Sequence, residues 1–200
     1  MNDGRTMHVV IDMQRLFAED TVWHTPSLHD ILPNVLRLCA AFEARTLFAK
    51  FMLPETPDHA PGRWQAYYRR WSMLTGSAVD PACQDLVAPL AALAAPEVQV
   101  EKFTYSVFKA PGFAERLRAD GIERLVFSGV ETDVCVLASV FDAVDAGFHV
   151  VVVSDAVGSS DPAAHRATLD HILARLPEQI DILSTADIVA GRSAVQSALE

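Results

Sequence analysis

Cysteine is scarce in this sequence, and its spacing excludes two structural classes. The chain has 200 residues and three cysteines, Cys39, Cys83 and Cys135, and none of them forms a CxxC pair. An odd number of widely spaced cysteines indicates neither a disulfide framework nor a zinc knuckle. We therefore expect free thiols and a reducing, cytoplasmic location.

Basic residues and long apolar runs are also few. Lysine and arginine total 16 against 26 acidic residues, which gives a formal net charge of -10. Such a chain has little basic surface to replace phosphate counterions, so we expect no nucleic-acid partner. No apolar run approaches the roughly 20 residues of a membrane span, and residues 1–7 lack the apolar core of a signal peptide. We therefore expect no membrane partner.

Several nucleotide-binding and hydrolase motifs are absent as well. The sequence contains neither GxGxxG nor GxxxxGK[ST], which removes the main support for dinucleotide or P-loop nucleotide binding. It also lacks the GxSxG elbow of serine hydrolases and the HExxH motif of metalloproteases. We predict no cofactor from these patterns.

Apolar residues, by contrast, are plentiful and regularly arranged. Half of the chain, 50%, is hydrophobic, which is enough to bury a core closed on several sides. Short continuous apolar runs alternate with segments of helical spacing, and this pattern is typical of a parallel sheet with helices on both faces. The predicted strands are residues 8–11, 46–52, 97–102, 124–129, 149–154 and 179–183. The predicted helices are 28–45, one opening at Asp80-Pro81, 112–120, 133–146, 162–176 and 184–190.

The predicted fold is thus a single α/β domain spanning residues 1–200. It has three layers around a mainly parallel, six-stranded, Rossmann-like sheet. Residues 53–79 interrupt the alternation with prolines and glycines, yet they also carry Trp64, Tyr67, Tyr68 and Trp71. So many aromatic residues indicate a packed insertion rather than a disordered one, with a short helix over residues 63–71.

Three reactive side chains follow predicted strands. Asp12 ends the first strand, Lys102 ends the third, and Cys135 lies in the first turn of the helix after the fourth. Ligands of parallel sheets bind at the carboxyl ends of the strands, so an acid, an amine and a thiol are predicted at one edge.

Each of these residues also has a structural interpretation. Cys135 at a helix N-terminus is expected to have a lowered pKa and to act as a nucleophile, but it is equally a small buried hydrophobe. Asp12 is a candidate general base or a turn cap. Lys102 either holds Asp12 charged and lowers the thiol pKa, or is a solvated lysine paired with Glu101. Their common location at one edge favours the chemical interpretation.

Four segments carry a family resemblance. They are Val10-Ile11-Asp12-Met13-Gln14 with Phe17, residues 101–108 (EKFTYSVF), residues 129–136 (GVETDVCV) and residues 153–158 (VSDAVG). In this order the chain resembles the isochorismatase-like cysteine hydrolases, which include nicotinamidases, N-carbamoylsarcosine amidases and ureidoacrylate hydrolases. The resemblance covers roughly residues 8–190.

The resemblance implies a catalytic triad of Asp12, Lys102 and Cys135. It further implies a cis peptide bond between Val130 and Glu131, and an oxyanion hole formed by the backbone amides of Glu131 and Cys135. Family members with this cysteine hydrolyse amides or ureas through an acyl- or carbamoyl-enzyme. The expected activity is hydrolysis of a small amide, carbamoyl or urea C–N bond through a thioester, by a homodimer or homotetramer.

Two features set this chain apart from nicotinamidases. Their metal site after the second strand uses an Asp-x-His pattern, which residues 49–55 lack, while Asp58-His59 falls in a proline-rich loop. We therefore predict no catalytic metal and do not expect nicotinamide as the substrate. The insertion is either a lid or a subunit contact. The aromatic candidates for substrate binding are Phe17, Trp64, Tyr68, Tyr105 and Phe108, with Trp71 as a further possibility.

Two other classes are compatible with parts of the pattern. A non-catalytic family member acting as a binding or scaffold protein predicts an unreactive Cys135. A flavodoxin-like or receiver-like module would use Asp12 as a phosphorylation or metal site, but the residues before Asp12 offer no accompanying acids.

Overall fold

The computed structural model describes residues 4–191, and its centre is a six-stranded sheet with all strands parallel. The strand order is β3-β2-β1-β4-β5-β6. The strands are β1 (Thr6–Ile11), β2 (Thr46–Phe51), β3 (Gln99–Lys102), β4 (Arg124–Val130), β5 (His149–Gly158) and β6 (Ile180–Leu183). The predicted sheet is confirmed, and it is wholly rather than mainly parallel.

Helices cover both faces of the sheet. They are α1 (Arg15–Ala18), α2 (Ser27–Phe42), α3 (Trp64–Arg70), α4 (Ala88–Ala91), α5 (Phe113–Ala119), α6 (Leu137–Asp145), α7 (Pro162–Ala167) and α8 (Thr185–Val189). One face of the sheet packs under α2 and α8, and the other under α5 and α6, so each face has its own apolar core. This is the predicted three-layer arrangement.

Two predicted helices are less regular in the structure than the sequence pattern indicated. The segment that opens at Asp80-Pro81 forms only a 3-10 turn, Pro81–Gln84, before α4. Asp80 caps that turn by accepting a hydrogen bond from the amide of Ala82. The helix predicted over 162–176 is regular only in α7 and continues as a wide π turn and a 3-10 turn.

The insertion is packed, as its aromatic residues predicted. Its helix α3 lies within the expected 63–71 range, and Tyr68 on that helix is buried. Among residues 4–191, no helix is both long and apolar enough to cross a membrane.

β1 carries one buried titratable side chain in mid-strand. The His8 ring is fully buried, with Nε2 2.8 Å from the Ser128 hydroxyl on β4. Burial lowers the pKa of His8 to about 3, so the ring is neutral in the folded protein.

Candidate active site

Asp12 is the first residue after β1 and lies at the centre of the sheet's carboxyl edge. Its backbone has a φ of 53°, a left-handed conformation that aspartate tolerates better than most residues. The Asp12 amide donates to the carbonyl of Ala49 on β2, which fixes the turn out of the strand. The side chain is completely buried.

Lys102 ends β3, two strands away, and reaches across the edge to Asp12. Its Nζ lies 2.8 Å from Asp12 Oδ2, and both side chains are inaccessible to solvent. Nζ also donates to the carbonyl of Thr104 at 3.2 Å and lies over the Phe51 ring. The structural alternative, a solvated Lys102 paired with Glu101, is therefore excluded.

Cys135 follows β4 in a tight and unusual connection. The Val130–Glu131 peptide bond is cis, as the resemblance implies, and residues Thr132–Val136 then form a π turn before α6. The carbonyl of Glu131 accepts from the amides of Val134 and Val136, both at 3.1 Å. Cys135 is buried at the start of this helical segment, where the sequence placed it.

Gly129 allows β4 to approach β1 closely just before this turn. Its φ is 108°, and a Cβ on it would lie 2.0 Å from the carbonyl oxygen of Ile11. Only glycine fits this position, which lies opposite Ile11, the residue before Asp12.

Asp12, Lys102 and Cys135 form one coupled group. The Asp12 carboxylate and the Lys102 ammonium both shift the pKa of the Cys135 thiol, Asp12 upward and Lys102 downward. Asp12 Oδ2 is bound by Lys102, while Oδ1 lacks a conventional partner among residues 4–191. The carboxylate thus has an oxygen available for the thiol proton.

The direction of the thiol pKa corrects one expectation. Burial raises the pKa of Cys135, nearby Asp12 raises it further, and Lys102 only partly opposes them. The expected lowering of the thiol pKa is therefore not found, because desolvation of the thiolate is the largest effect. Burial also raises the pKa of Asp12 against the effect of Lys102. Burial opposes the charge on Lys102, but Asp12 and Cys135 together raise its pKa. The resting site thus has a protonated thiol.

A cavity of about 230 Å³ opens onto Cys135. Its walls are mainly aromatic, with a few polar groups, as in small-molecule sites generally. The lining residues are Phe17, Val22, Trp23, His24, Phe51, Tyr67, Trp71, Tyr105, Glu131, Val134, Cys135 and Ser160.

Two of the five principal aromatic candidates line this cavity, Phe17 and Tyr105. Trp64 lies instead on a neighbouring open groove, where its ring centroid is 4.7 Å from that of Tyr105. Tyr68 is 1% exposed and belongs to the core beneath the insertion. Phe108 contacts the rings of Phe113 and Phe148 on the opposite side of the sheet. Trp64, Tyr68 and Phe108 are therefore not cavity residues.

The sequence reasoning missed several walls of the cavity. Trp23 is the most central, because its ring meets those of Phe17, Phe51, Tyr67 and Trp71. Trp23 lies in the irregular segment between α1 and α2, where no periodicity indicates which way a side chain points. The sequence indicated a role for Trp23 only by its type, a large aromatic residue six positions after Phe17.

The histidine and aspartate of the insertion have ordinary surface partners. Asp58 accepts from Arg69, and His59 lies 2.9 Å from the hydroxyl of Thr56. Within the described range 4–191, no group of three or more His, Cys, Asp or Glu side chains is arranged to hold a metal ion.

Comparison with known proteins shows which family has a sequence like this one. A family model described as the isochorismatase domain matches residues 6–186. The chain is 28% identical over 171 residues to a probable inactive nicotinamidase of Arabidopsis thaliana, which covers 82% of this chain and 86% of that protein. It is also 28% identical over 193 residues to a ureidoacrylate amidohydrolase of Pseudomonas syringae, covering 86% and 78%.

A solved structure shares the fold. The chain superposes on a cysteine hydrolase from Pseudomonas syringae pv. phaseolicola with a TM-score of 0.79, over 95% of this chain and 93% of that one. Their sequences are 23% identical, so this likeness concerns the fold. With the family model spanning nearly all of the described residues, the chain belongs to the isochorismatase family.

Proposed function

We propose that this protein is a cysteine hydrolase that cleaves a small amide, carbamoyl or urea C–N bond through a thioester intermediate. The observation that carries the proposal is the fully buried Lys102–Asp12 ion pair beside a thiol that lines a cavity. Burying two charges costs several kcal/mol unless they are well paired, so such a group is better explained by chemistry than by stability.

The first half of the reaction forms the thioester. Asp12 accepts the proton of Cys135 as sulfur attacks the substrate carbonyl carbon, and the amides of Glu131 and Cys135 hold the oxyanion. The protonated Asp12 then gives its proton to the leaving nitrogen, and the C–N bond breaks. The amine or ammonia departs and leaves an acyl or carbamoyl group on sulfur.

The second half uses the same carboxylate. Asp12, again anionic, takes a proton from water as the water oxygen attacks the thioester carbon. The C–S bond breaks, the carboxyl product leaves, and the proton on Asp12 returns to the thiolate. A resting thiol with a raised pKa suits this cycle, because the proton moves only as the new bond forms.

Lys102 keeps this carboxylate competent. Its ammonium holds Asp12 Oδ2 at 2.8 Å and opposes the effect of burial on the Asp12 pKa. Without that charge, burial would favour a neutral Asp12, which cannot accept the thiol proton.

The cavity supports a small substrate. Its volume of about 230 Å³ lies below the range of drug-sized ligand sites, roughly 300–1,000 Å³. The names of the relatives, an amidohydrolase of ureidoacrylate and a nicotinamidase described as inactive, support the amide class.

A non-catalytic binding protein is the second candidate. It is favoured by the relative from Arabidopsis thaliana, whose name describes it as probably inactive. In that case the same cavity would bind a small molecule without turnover.

Ammonia release from a panel of small carboxamides, carbamoyl compounds and ureas separates the two candidates. We expect release by the wild type and by Cys83→Ala, whose half-buried thiol lies outside the cavity, and none by Cys135→Ala. Release by Cys135→Ala would remove the nucleophile assignment. Silence of the wild type across the whole panel would favour the binding protein. Slow reaction of Cys135 with iodoacetamide would not separate the two candidates, because a resting thiol with a raised pKa reacts slowly in either case.

A further inference from the structure

The cavity beside Cys135 has the composition of a cation site. Six of its lining residues are aromatic: Phe17, Trp23, Phe51, Tyr67, Trp71 and Tyr105. Trp23 lies at the centre of the group, with ring centroids 5.8 Å from Tyr67 and 6.3 Å from Trp71. Aromatic rings that line a cavity attract cations, and most strongly ammonium groups with weak hydration.

Glu131 adds a carboxylate to the same cavity. Its Oε1 accepts from the amide of Ser160 at 2.8 Å and from the hydroxyl of Thr25 at 3.3 Å, which fixes the side chain in place. No residue between 4 and 191 donates a hydrogen bond to Oε2. The carboxylate is therefore held at the wall with one oxygen available to a ligand.

The charges around the cavity do not cancel. Lys102 neutralises Asp12 in the buried ion pair beside Cys135, and the Cys135 thiol is protonated at rest. The lining residues include neither lysine nor arginine, and Arg70 is exposed and stacks on Trp71 from outside the lining, 5.0 Å from its ring centroid. Glu131 is thus a carboxylate without a lysine or arginine beside it among the lining residues.

We propose that the substrate carries a positively charged nitrogen, of the alkylammonium class, close to the carbonyl that Cys135 attacks. This inference rests on the proposed function and names its substrate class. The ammonium group would lie in the cavity against its aromatic wall, with Glu131 as its counterion. A neutral ligand of the same shape would leave the Glu131 charge uncompensated.

The test compares two ligands that differ only in charge. They are 2-(trimethylammonio)acetamide and its carbon isostere, 3,3-dimethylbutanamide. Binding of each to Cys135→Ala is measured by calorimetry, so that the result does not depend on turnover. We expect the cation to bind at least about tenfold more tightly, within the range of desolvated cation–π contacts plus a counterion.

A second variant assigns the preference to Glu131. Adding Glu131→Gln to the Cys135→Ala protein removes the carboxylate charge but keeps an oxygen for the Ser160 amide and the Thr25 hydroxyl. We expect the tenfold preference for the cation to fall to about threefold or less. Glu101→Gln, an exposed carboxylate at the end of β3, is the matched control and should leave the preference intact.

Two results would overturn the inference. One is equal binding of both ligands, or binding of neither at millimolar concentration. The other is a Glu131→Gln variant that weakens both ligands by the same factor, which is what a purely structural role predicts. Tight cation binding without ammonia release by the wild type would support the inference and count against the hydrolase, so the two failures are distinguishable.

Discussion

The floor and the wall of the cavity were built by different parts of the chain. The floor is Cys135 at the cavity surface with Asp12 and Lys102 buried beneath it, and these three residues follow or end the parallel strands β1, β3 and β4. The wall comes from the irregular segment before α2, from the insertion that carries α3 and from the connections after β3, β4 and β5, together with Phe17 of α1 and Phe51 at the end of β2. Regular elements fix the reacting groups, whereas irregular segments determine what the site can hold.

The largest effect should come from the floor. Asp12→Asn keeps the side-chain shape and a residue that tolerates the φ of 53°. It cannot accept or return a proton in either half of the reaction, so we expect turnover to fall by about 10³-fold or more with unchanged near-UV circular dichroism. A variant that raises only KM would show that Asp12 is not the base.

The ion pair should also be visible in stability. Lys102→Met leaves Asp12 buried without its partner, and we expect unfolding free energy to fall by about 3–5 kcal/mol in urea titrations. Adding Asp12→Asn replaces the unpaired acid, which burial would otherwise force to take up a proton, with a neutral amide, so the double variant should recover much of that loss. Additive losses in the two variants would contradict a coupled pair.

A wall residue and a misassigned core residue should behave in opposite ways. Trp71→Ala is expected to raise KM by about tenfold and to change stability little, because it lines the cavity and is partly exposed. Phe108→Ala should cost about 2 kcal/mol of stability through lost packing against Phe113 and Phe148, without changing KM. Reversed outcomes would restore the sequence-based choice of Phe108 as a substrate contact.

The smallest effect concerns His8, which lies outside the site. Its pKa is lowered to about 3 in the fold, so between pH 6.5 and 3 the unfolded chain binds the extra proton and stability falls as pH falls. The slope contributed by one such group approaches about 1.4 kcal/mol per pH unit. His8→Gln should reduce the slope measured by urea unfolding, whereas the exposed His171→Gln should not. An unchanged slope in His8→Gln would show that this ring is not buried neutral.

The floor was predictable because the topology of the sheet determines where its residues lie. Asp12, Lys102 and Cys135 each follow an apolar strand, and parallel strands bring their carboxyl ends to one edge. Periodicity and motif order thus sufficed to place residues as far apart in sequence as 12 and 135. The depth of burial was not readable from the sequence, and for that reason the direction of the Cys135 pKa was predicted wrongly.

Only part of the wall was predictable. Phe17, Tyr105 and Trp71 were named from the sequence, but the direction of a side chain cannot be deduced outside long regular elements, so the other wall residues were not. Tyr67 and Tyr68 are neighbours on a seven-residue helix, yet Tyr67 lines the cavity and Tyr68 lies in the core. So short a helix gives no apolar period from which to deduce its inner face. Trp23 and the Glu131 side chain belong to connections, where side-chain direction depends on tertiary contacts such as those with Thr25 and Ser160.

The most direct test of the central claim is intact mass spectrometry of the enzyme, acid-quenched during turnover of any amide that releases ammonia. The account predicts an added mass equal to the acyl or carbamoyl group, located on the peptide that contains Cys135 and absent from Cys135→Ala. Continued turnover by Cys135→Ala, with no adduct on the wild-type protein, would contradict a thioester at Cys135.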